Sequence, residues 1–192
     1  MKDFTLLSLS TPTQSKFIKP QRIHYLLDKE EYLWDMYHSF DSVAILLYSK
    51  EKHSLLLLRH LRPCAFLRDK RGIIYELCAG LVDKEGKSIE QIAQEEVLEE
   101  CGYSIPIQKL QKINTFYSNI GLSTSKQTLF FASISQEEKI SEGGGERDEN
   151  FELFWLPCLE ITQFLQDETI EKTSSLAYML EWFLRTKNET NI

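Results

Sequence analysis

The chain has 192 residues, 42% of them hydrophobic, which is enough for one ordinary domain with a substantial core and leaves room for a small appendage. Its formal net charge of −7 gives no basic footprint, so neither a nucleic acid nor an anionic membrane surface is expected as a partner. The first residues lack the pattern of a signal peptide, and no run approaches the roughly 18 apolar residues of a membrane helix. The four cysteines are widely spaced and form no CxxC pair, which is typical of reduced thiols in a cytoplasmic protein.

The N-terminal region alternates between apolar and polar residues in three short stretches. This pattern predicts strands over residues 4–10, 21–27 and 32–38, with a polar, proline-containing link after the first. A small antiparallel sheet over residues 1–38 is therefore expected to precede a larger unit over residues 39–192. Trp34 in this sheet has three open interpretations: a core residue, an interface residue, or a platform on which a base stacks.

The larger unit mixes strands with a few helices. Two nearly continuous apolar runs, at residues 42–49 and 54–60, predict a hairpin of strands buried on both faces, and residues 64–71 are expected to form a loop. Further strands are predicted over 73–78, 110–117, 127–133 and 151–156, and helices over 157–166 and 173–186. The fold class is therefore expected to be α+β.

Positive charge is concentrated where the second buried strand ends. Arg59, His60 and Arg62 stand close together there and are followed by a proline. Arginine's planar fork suits phosphate oxygens, so this group could clamp a phosphate, although a solvated strand end would look the same.

A glutamate-rich helix provides the strongest chemical signal. Ser88 and Gln91 have the spacing of a capping box, and Gly102 is expected to end the helix after Cys101. Four glutamates crowd its second half: Glu95, Glu96, Glu99 and Glu100. At about 100° per residue, Glu96 and Glu100 fall on the apolar stripe, Glu99 lies at its edge and Glu95 lies outside it.

Carboxylates on a stripe that faces the core cannot remain ionised without a partner. A hard cation held by oxygen ligands resolves this conflict, whereas the alternative is a solvated, charged surface helix. Mg²⁺, or Mn²⁺, suits such ligands together with substrate phosphates. With the nearby arginines, the cluster favours metal-assisted hydrolysis of a phosphorylated substrate. The acidic stretch over residues 136–150 and the strand after it supply candidate bases, although each could be a solvated charge: Glu146, Asp148, Glu149 and Glu152.

The segment from residue 79 to 103 resembles the Nudix box, G-x5-E-x7-R-E-U-x-E-E-x-G-U, where U is aliphatic. The matching residues are Gly80, Glu96, Val97, Glu99, Glu100 and Gly102. The spacing from the first glycine is one residue longer, and Tyr103 takes the last aliphatic place. The stretches RPCAF, ELCAGLVD, EECGY and DEN are similar to the branch of the family that acts on ADP-ribose and nucleotide sugars. The resemblance implies a Nudix α/β/α sandwich of mixed sheets.

The resemblance also implies roles for residues at matching positions. Glu96 and Glu100 would be the main metal ligands, the Ala79 carbonyl a further one, and Glu99 would assist in metal binding and catalysis. Arg62 would hold a phosphate, and Glu76 would contact the substrate or a metal-bound water. Glu149 would be the base that activates the attacking water.

Members of this branch are similar in being homodimers whose N-terminal sheets exchange between subunits and help to stack the base, which would place Trp34 at the substrate. The implied reaction is hydrolysis of the diphosphate of a nucleoside diphosphate sugar, with UDP-glucose giving UMP and glucose 1-phosphate. Alternatives are hydrolysis of ADP-ribose to AMP and ribose 5-phosphate, and a non-catalytic Nudix module that only binds a ligand.

The chain departs from the box at two positions. Lys87 stands where the box has its first glutamate, and Glu95 stands where it has arginine. The two changes reverse both charges, so Lys87 and Glu95 could form a swapped ion pair across the start of the helix. Alternatively, Glu95 could add a fourth carboxylate to the metal cluster.

Overall fold

The computed structural model describes residues 4–145 and 151–190, and the side chains of these residues as far as 186. The first element is a two-stranded antiparallel sheet of β1 (Lys19–Leu27) and β2 (Glu30–His38). Asp28 and Lys29 join the strands at φ 50° and 73°, as a tight two-residue hairpin turn requires. This confirms the predicted small antiparallel sheet, although with two strands instead of three.

The predicted strand over residues 4–10 is wrong, because these residues form no regular secondary structure. They pair with neither edge of a sheet, and Leu7 and Leu9 are 92% and 72% exposed. Phe4 instead packs edge-on against Phe66, with 4.8 Å between ring centroids. Alternation alone cannot make a strand where no neighbouring strand accepts its hydrogen bonds.

A seven-stranded mixed sheet forms the centre of the molecule. Its strands are β3 (Ser42–Ser49), β4 (Ser54–Leu61), β5 (Ile73–Glu76), β6 (Cys78–Leu81), β7 (Gln111–Tyr117), β8 (Lys126–Ile134) and β9 (Phe151–Pro157). The order is β5-β4-β3-β8-β7, while β6 pairs with β3 and β9 pairs with β4. β3 and β8 run parallel and the other pairs are antiparallel.

Helices cover both faces of this sheet. The α-helices among the described residues are α1 (Pro63–Asp69), α2 (Ile89–Cys101), α3 (Ile161–Gln166) and α4 (Ser174–Thr190), of which the last three supply the residues that pack on the sheet; short 3-10 turns lie at Ile107–Lys109, Gln136–Glu138 and Cys158–Glu160. Side chains of β3 alternate between two cores: Val43, Ile45 and Leu47 pack with α2, whereas Ala44, Leu46 and Tyr48 pack with α3 and α4. The result is the expected three-layer α/β/α sandwich. No helix within residues 4–145 and 151–190 has the length and apolar character needed to cross a membrane.

Two further expectations were wrong in detail. The segment predicted as a loop over residues 64–71 contains α1, which begins with Pro63 at a position where proline's missing N–H costs nothing. The strand predicted over residues 73–78 is interrupted at Leu77, because β5 pairs with β4 whereas β6 pairs with β3. This change of partner brings Glu76 and Ala79 to the same region as the second half of α2.

Candidate active site

The caps of α2 fix the directions of its glutamates. Ser88 Oγ accepts a hydrogen bond from Gln91 N at 3.2 Å, and Gln91 Oε1 accepts one from Ser88 N at 2.7 Å. Gly102 ends the helix at φ 77°, with its N–H bonded to Leu98 O at 3.0 Å. The predicted start, capping box and end of this helix are therefore confirmed.

Glu100 and Glu96 point from α2 towards β6. Glu100 is only 4% exposed, and its Oε2 accepts a hydrogen bond from Ala79 N at 2.9 Å. Glu96 is half-buried against Gly80, so closely that a Cβ added to this glycine would lie 2.1 Å from Glu96 Cδ and Oε1. The Glu99 side chain is 49% exposed. The prediction that Glu96 and Glu100 lie on the buried stripe with Glu99 beside it agrees with these positions.

These side chains line a cavity of about 680 Å³. Six of the predicted site residues lie in its wall: Arg62, Glu76, Ala79, Glu96, Glu99 and Glu100. The wall also includes residues that the motif did not indicate, among them Lys16, Phe17, Lys84, Gln127 and Ser175. Lys16 and Phe17 come from the irregular N-terminal segment, and Ser175 from the first turn of α4, so only the tertiary fold could reveal them.

Arg62 and Glu76 interact directly with each other. Arg62 Nε donates to Glu76 Oε2 at 2.8 Å, and His60 Nδ1 lies 3.2 Å from the same oxygen but off the hydrogen-bonding direction. Burial raises the pKa of the Glu76 carboxyl, but His60 and Arg62 together outweigh burial and hold this pKa below its ordinary value. The Arg62 side chain remains 48% exposed, so it can face the cavity while bonded to Glu76.

Replacing Glu76 with glutamine tests this contact through its pH dependence. Because the pKa of Glu76 is lowered by folding, its carboxylate contributes stability above the ordinary pKa of 4.5, and that stability is lost as the pH falls through the lowered pKa. We expect Glu76→Gln to lower the free energy of unfolding at neutral pH by about 1–3 kcal/mol. The loss should shrink in acid. Denaturant unfolding at neutral pH and in acid measures this change in the free energy of unfolding, with Glu137→Gln, at an exposed position, as the control. An equal loss of stability at the two pH values would contradict the lowered pKa of Glu76.

The reversed charges of the box form the predicted ion pair. Lys87 Nζ lies 2.5 Å from Glu95 Oε1, and Lys84 Nζ lies 3.0 Å from Glu95 Oε2. Lys87 first, and then Lys84, hold the pKa of the Glu95 carboxyl below its usual range. Since lysines bind both oxygens of Glu95, the interpretation of Glu95 as a fourth metal carboxylate finds no support in the structure.

The remaining predicted site residues are not in the described wall of this cavity. Glu146, Asp148 and Glu149 fall outside the described residues, so the assignment of Glu149 as the base stays a prediction. Glu152 lies on β9, where its Oε2 accepts a hydrogen bond from Arg59 Nη1 at 3.0 Å.

Trp34 is 50% exposed on β2 and donates from Nε1 to Gly121 O at 2.9 Å. Trp34 is not in the wall of the 680 Å³ cavity within the described part of this chain, so its role at the substrate stays a prediction.

The oxygen atoms of the cavity suit a hard divalent cation. Glu96, Glu99 and Glu100 are the ligand type that Mg²⁺ prefers, and Gly80 leaves the space that the Glu96 carboxylate occupies. In the part of the chain that the structure describes, no three acidic, histidine or cysteine side chains are already grouped to hold a metal ion. This is compatible with Mg²⁺, which commonly takes one or two protein carboxylates and completes its shell with waters and substrate phosphates.

Comparison with known proteins identifies the family. Residues 38–183 match the model of the NUDIX domain. The chain is 30% identical to the uridine diphosphate glucose pyrophosphatase NUDT14 of Bos taurus, over 88% of this chain and 89% of that protein, and equally so to its counterpart from Mus musculus. It is 28% identical to a GDP-mannose pyrophosphatase of Cronobacter sakazakii, over 79% of this chain and 78% of that protein. The chain therefore belongs to the Nudix hydrolase family.

Proposed function

We propose that this protein hydrolyses the diphosphate of nucleoside diphosphate sugars with the help of Mg²⁺, or Mn²⁺, and that UDP-glucose is cleaved to UMP and glucose 1-phosphate. The observation that carries the proposal is the cavity whose wall contains three glutamates of α2 together with Ala79, Gly80 and Arg62. The names of the relatives support a nucleotide sugar as the substrate, because they include pyrophosphatases for UDP-glucose and GDP-mannose.

Different residues are proposed to have different roles in this reaction. Glu96 and Glu100, with Glu99 and the Ala79 carbonyl, would hold the cation, which when bound neutralises charge on the diphosphate oxygens. Arg62 offers a planar fork to a phosphate oxygen while Glu76 fixes its orientation. Glu149 remains the proposed base: it takes a proton from water, whose oxygen attacks one phosphorus. The bond from that phosphorus to the bridging oxygen breaks, and the bridging oxygen leaves with the second phosphate.

A second cavity, of about 290 Å³, offers room for a part of the substrate beyond the diphosphate. It shares Gln127 and Ser175 with the first cavity, so the two adjoin. Its other lining residues are Phe116, Tyr117, Ser118, Leu129, Ser174 and Tyr178. Aromatic rings beside hydroxyl groups can stack on a flat ring and hydrogen-bond to its edge.

A substrate panel tests the proposal. The protein is incubated with Mg²⁺ and UDP-glucose, GDP-mannose or ADP-ribose, and the monophosphates released are measured. We expect UMP from UDP-glucose to form fastest. Faster release of AMP from ADP-ribose would support the alternative, in which AMP and ribose 5-phosphate are the products. No release from any of the three, with Glu100→Gln binding each ligand as the wild type does, would favour a non-catalytic binding module.

The departures from the box do not require such a module. Glu95 and Lys87 reverse the usual charges but still form an ion pair, and Lys84 adds a second cation. The charge of Glu95 is therefore neutralised by lysines, while the glutamates of the cavity stay in its wall. This favours the enzyme over the binding module.

We further propose that the protein is a homodimer joined through the N-terminal sheet of residues 1–38, with residues 39–192 as the hydrolase domain. Opposed residues of β1 and β2 place Ile23, Tyr25, Tyr32 and Trp34 on one face, and each of these is at least 37% exposed. An apolar face of this kind is typical of a contact surface. Within the dimer, Trp34 would stack on the base of the substrate.

Tyr25→Asp should break this dimer. Tyr25 stacks on Tyr32 at 5.6 Å between ring centroids, so a charge there enters the middle of the apolar face. We expect light scattering to give the mass of a dimer for the wild type and of a monomer for Tyr25→Asp. His24→Asp is the matched control, because it adds the same charge on the opposite face and should leave the dimer intact. A monomeric wild type would contradict the proposal.

We also propose a cytoplasmic location, as the cysteine spacing suggests. The support from the structure is that all four cysteines are free thiols. Free thiols are typical of a reducing compartment.

A further inference from the structure

The loop between β6 and α2 brings two lysines to the glutamate-rich face of α2, and they are not equivalent. Lys84 Nζ lies 3.0 Å from Glu95 Oε2 and 3.7 Å from Glu99 Oε1, so it stands between two carboxylates one helical turn apart. Lys87 Nζ is bonded to Glu95 Oε1. Lys84 lines the cavity of about 680 Å³, whereas Lys87 contacts Glu95 from outside the described lining.

The two contacts of Lys84 differ in kind. At 3.0 Å its bond to Glu95 is a charged hydrogen bond, which fixes the ammonium in place. At 3.7 Å its contact with Glu99 is too long for a hydrogen bond and is therefore electrostatic. Glu95 thus anchors the Lys84 ammonium group, which attracts the Glu99 carboxylate without forming a hydrogen bond to it.

This position has a consequence for a cation in the cavity. Glu99 is one of the carboxylates proposed to assist the metal, and a fixed positive charge beside it repels a divalent cation. Lys84 also offsets the mutual repulsion of the clustered glutamates while no metal is bound. A cation entering the cavity would therefore compete with Lys84 for Glu99, while Glu95 retains the lysine.

We propose that Lys84, anchored by Glu95, is a positioning residue that holds Glu99 at the cavity wall and weakens the binding of a divalent cation there. This inference rests on the proposed function, since it takes Glu99 to be part of the metal site. Lys84 thereby sets the concentration of divalent cation at which the metal site in the cavity becomes occupied.

Manganese binding in the absence of substrate tests the inference, with free Mn²⁺ measured by electron paramagnetic resonance. We expect Lys84→Met, which keeps the apolar stem and removes the charge, to bind Mn²⁺ about three- to tenfold more tightly than the wild type. Lys84→Arg keeps the charge and should stay within about twofold. Lys87→Met removes the same charge outside the cavity and should also stay within about twofold. Circular dichroism confirms that each variant is folded.

Unchanged or weaker Mn²⁺ binding by Lys84→Met would overturn the inference, as would equal tightening by Lys87→Met, because a general change of net charge would then explain both. The test does not depend on catalysis. If nucleotide sugars are not cleaved but Lys84→Met alone tightens Mn²⁺ binding, the proposed reaction fails and the role of Lys84 stands. If nucleotide sugars are cleaved but Mn²⁺ binding is unaltered, only the role of Lys84 fails.

Discussion

Glu100→Gln should lower kcat for nucleotide-sugar hydrolysis by about two to three orders of magnitude while the protein remains folded. Glu100 is 4% exposed in the cavity wall, and its Oε2 accepts the hydrogen bond from Ala79 N. Glutamine has nearly the same shape and can accept the same hydrogen bond through its side-chain oxygen. The substitution therefore removes a charge from the proposed metal site and keeps the size and shape of the side chain.

The measurement is steady-state kinetics at saturating Mg²⁺, together with thermal unfolding of each variant. Glu90→Gln is the matched control, because Glu90 lies in the first turn of the same helix and outside the described cavity lining. It should keep kcat within about twofold of the wild type. If Glu100→Gln retained wild-type kcat, Glu100 would not be part of the catalytic site.

Gly80→Ala should lower activity about 10- to 100-fold with only a small effect on stability. An added Cβ would lie 2.1 Å from Cδ and Oε1 of Glu96 and 2.5 Å from its Cγ. These atoms are the far end of a flexible side chain, so Glu96 can turn away at a cost of about 1 kcal/mol. Gly80 lies in β6 opposite Val43, without a positive φ, so the backbone tolerates alanine. The loss of activity would come from moving one carboxylate.

A double-mutant cycle isolates this effect. Glu96→Ala removes the side chain that the new methyl group would meet, so Gly80→Ala should cost nothing further in the Glu96→Ala background. Gly121→Ala is a control, because an added Cβ there meets nothing within 4 Å. Additive losses of activity in the double variant would show that Gly80 acts independently of Glu96.

The parts of the fold that sequence predicted well are those whose signal is local. The apolar run of β3 predicts a strand buried on both faces, and its residues do pack alternately into two cores. The capping residues and the 3.6-residue period of α2 fixed not only the helix but also the directions of Glu96 and Glu100. No knowledge of distant residues was needed for either.

The parts that sequence missed depend on distant partners. Residues 4–10 alternate as a strand does, but no sheet edge receives them. The break at Leu77 exists because the chain changes from pairing with β4 to pairing with β3, which the local pattern cannot show. No motif indicated Lys84, because its position beside Glu99 follows from the path of the loop between β6 and α2.

The structure shows how the reversed charges at Glu95 and Lys87 are accommodated. In the sequence they are two departures from the box that reverse both charges. In the fold both oxygens of Glu95 are bound by lysines, and one of these lysines lines the cavity. The departure from the motif is thus a rearranged charge network and leaves Glu96 and Glu100 in the cavity wall.

Phosphorus-31 NMR of UDP-glucose incubated with the protein tests the central claim most directly, because it observes the diphosphate bond itself. With Mg²⁺ present, the two diphosphate signals should be replaced by the monophosphate signals of UMP and glucose 1-phosphate in equal amounts. A chelator should prevent the change. Diphosphate signals that persist with Mg²⁺ and stoichiometric protein, for UDP-glucose and likewise for GDP-mannose and ADP-ribose, would contradict the account.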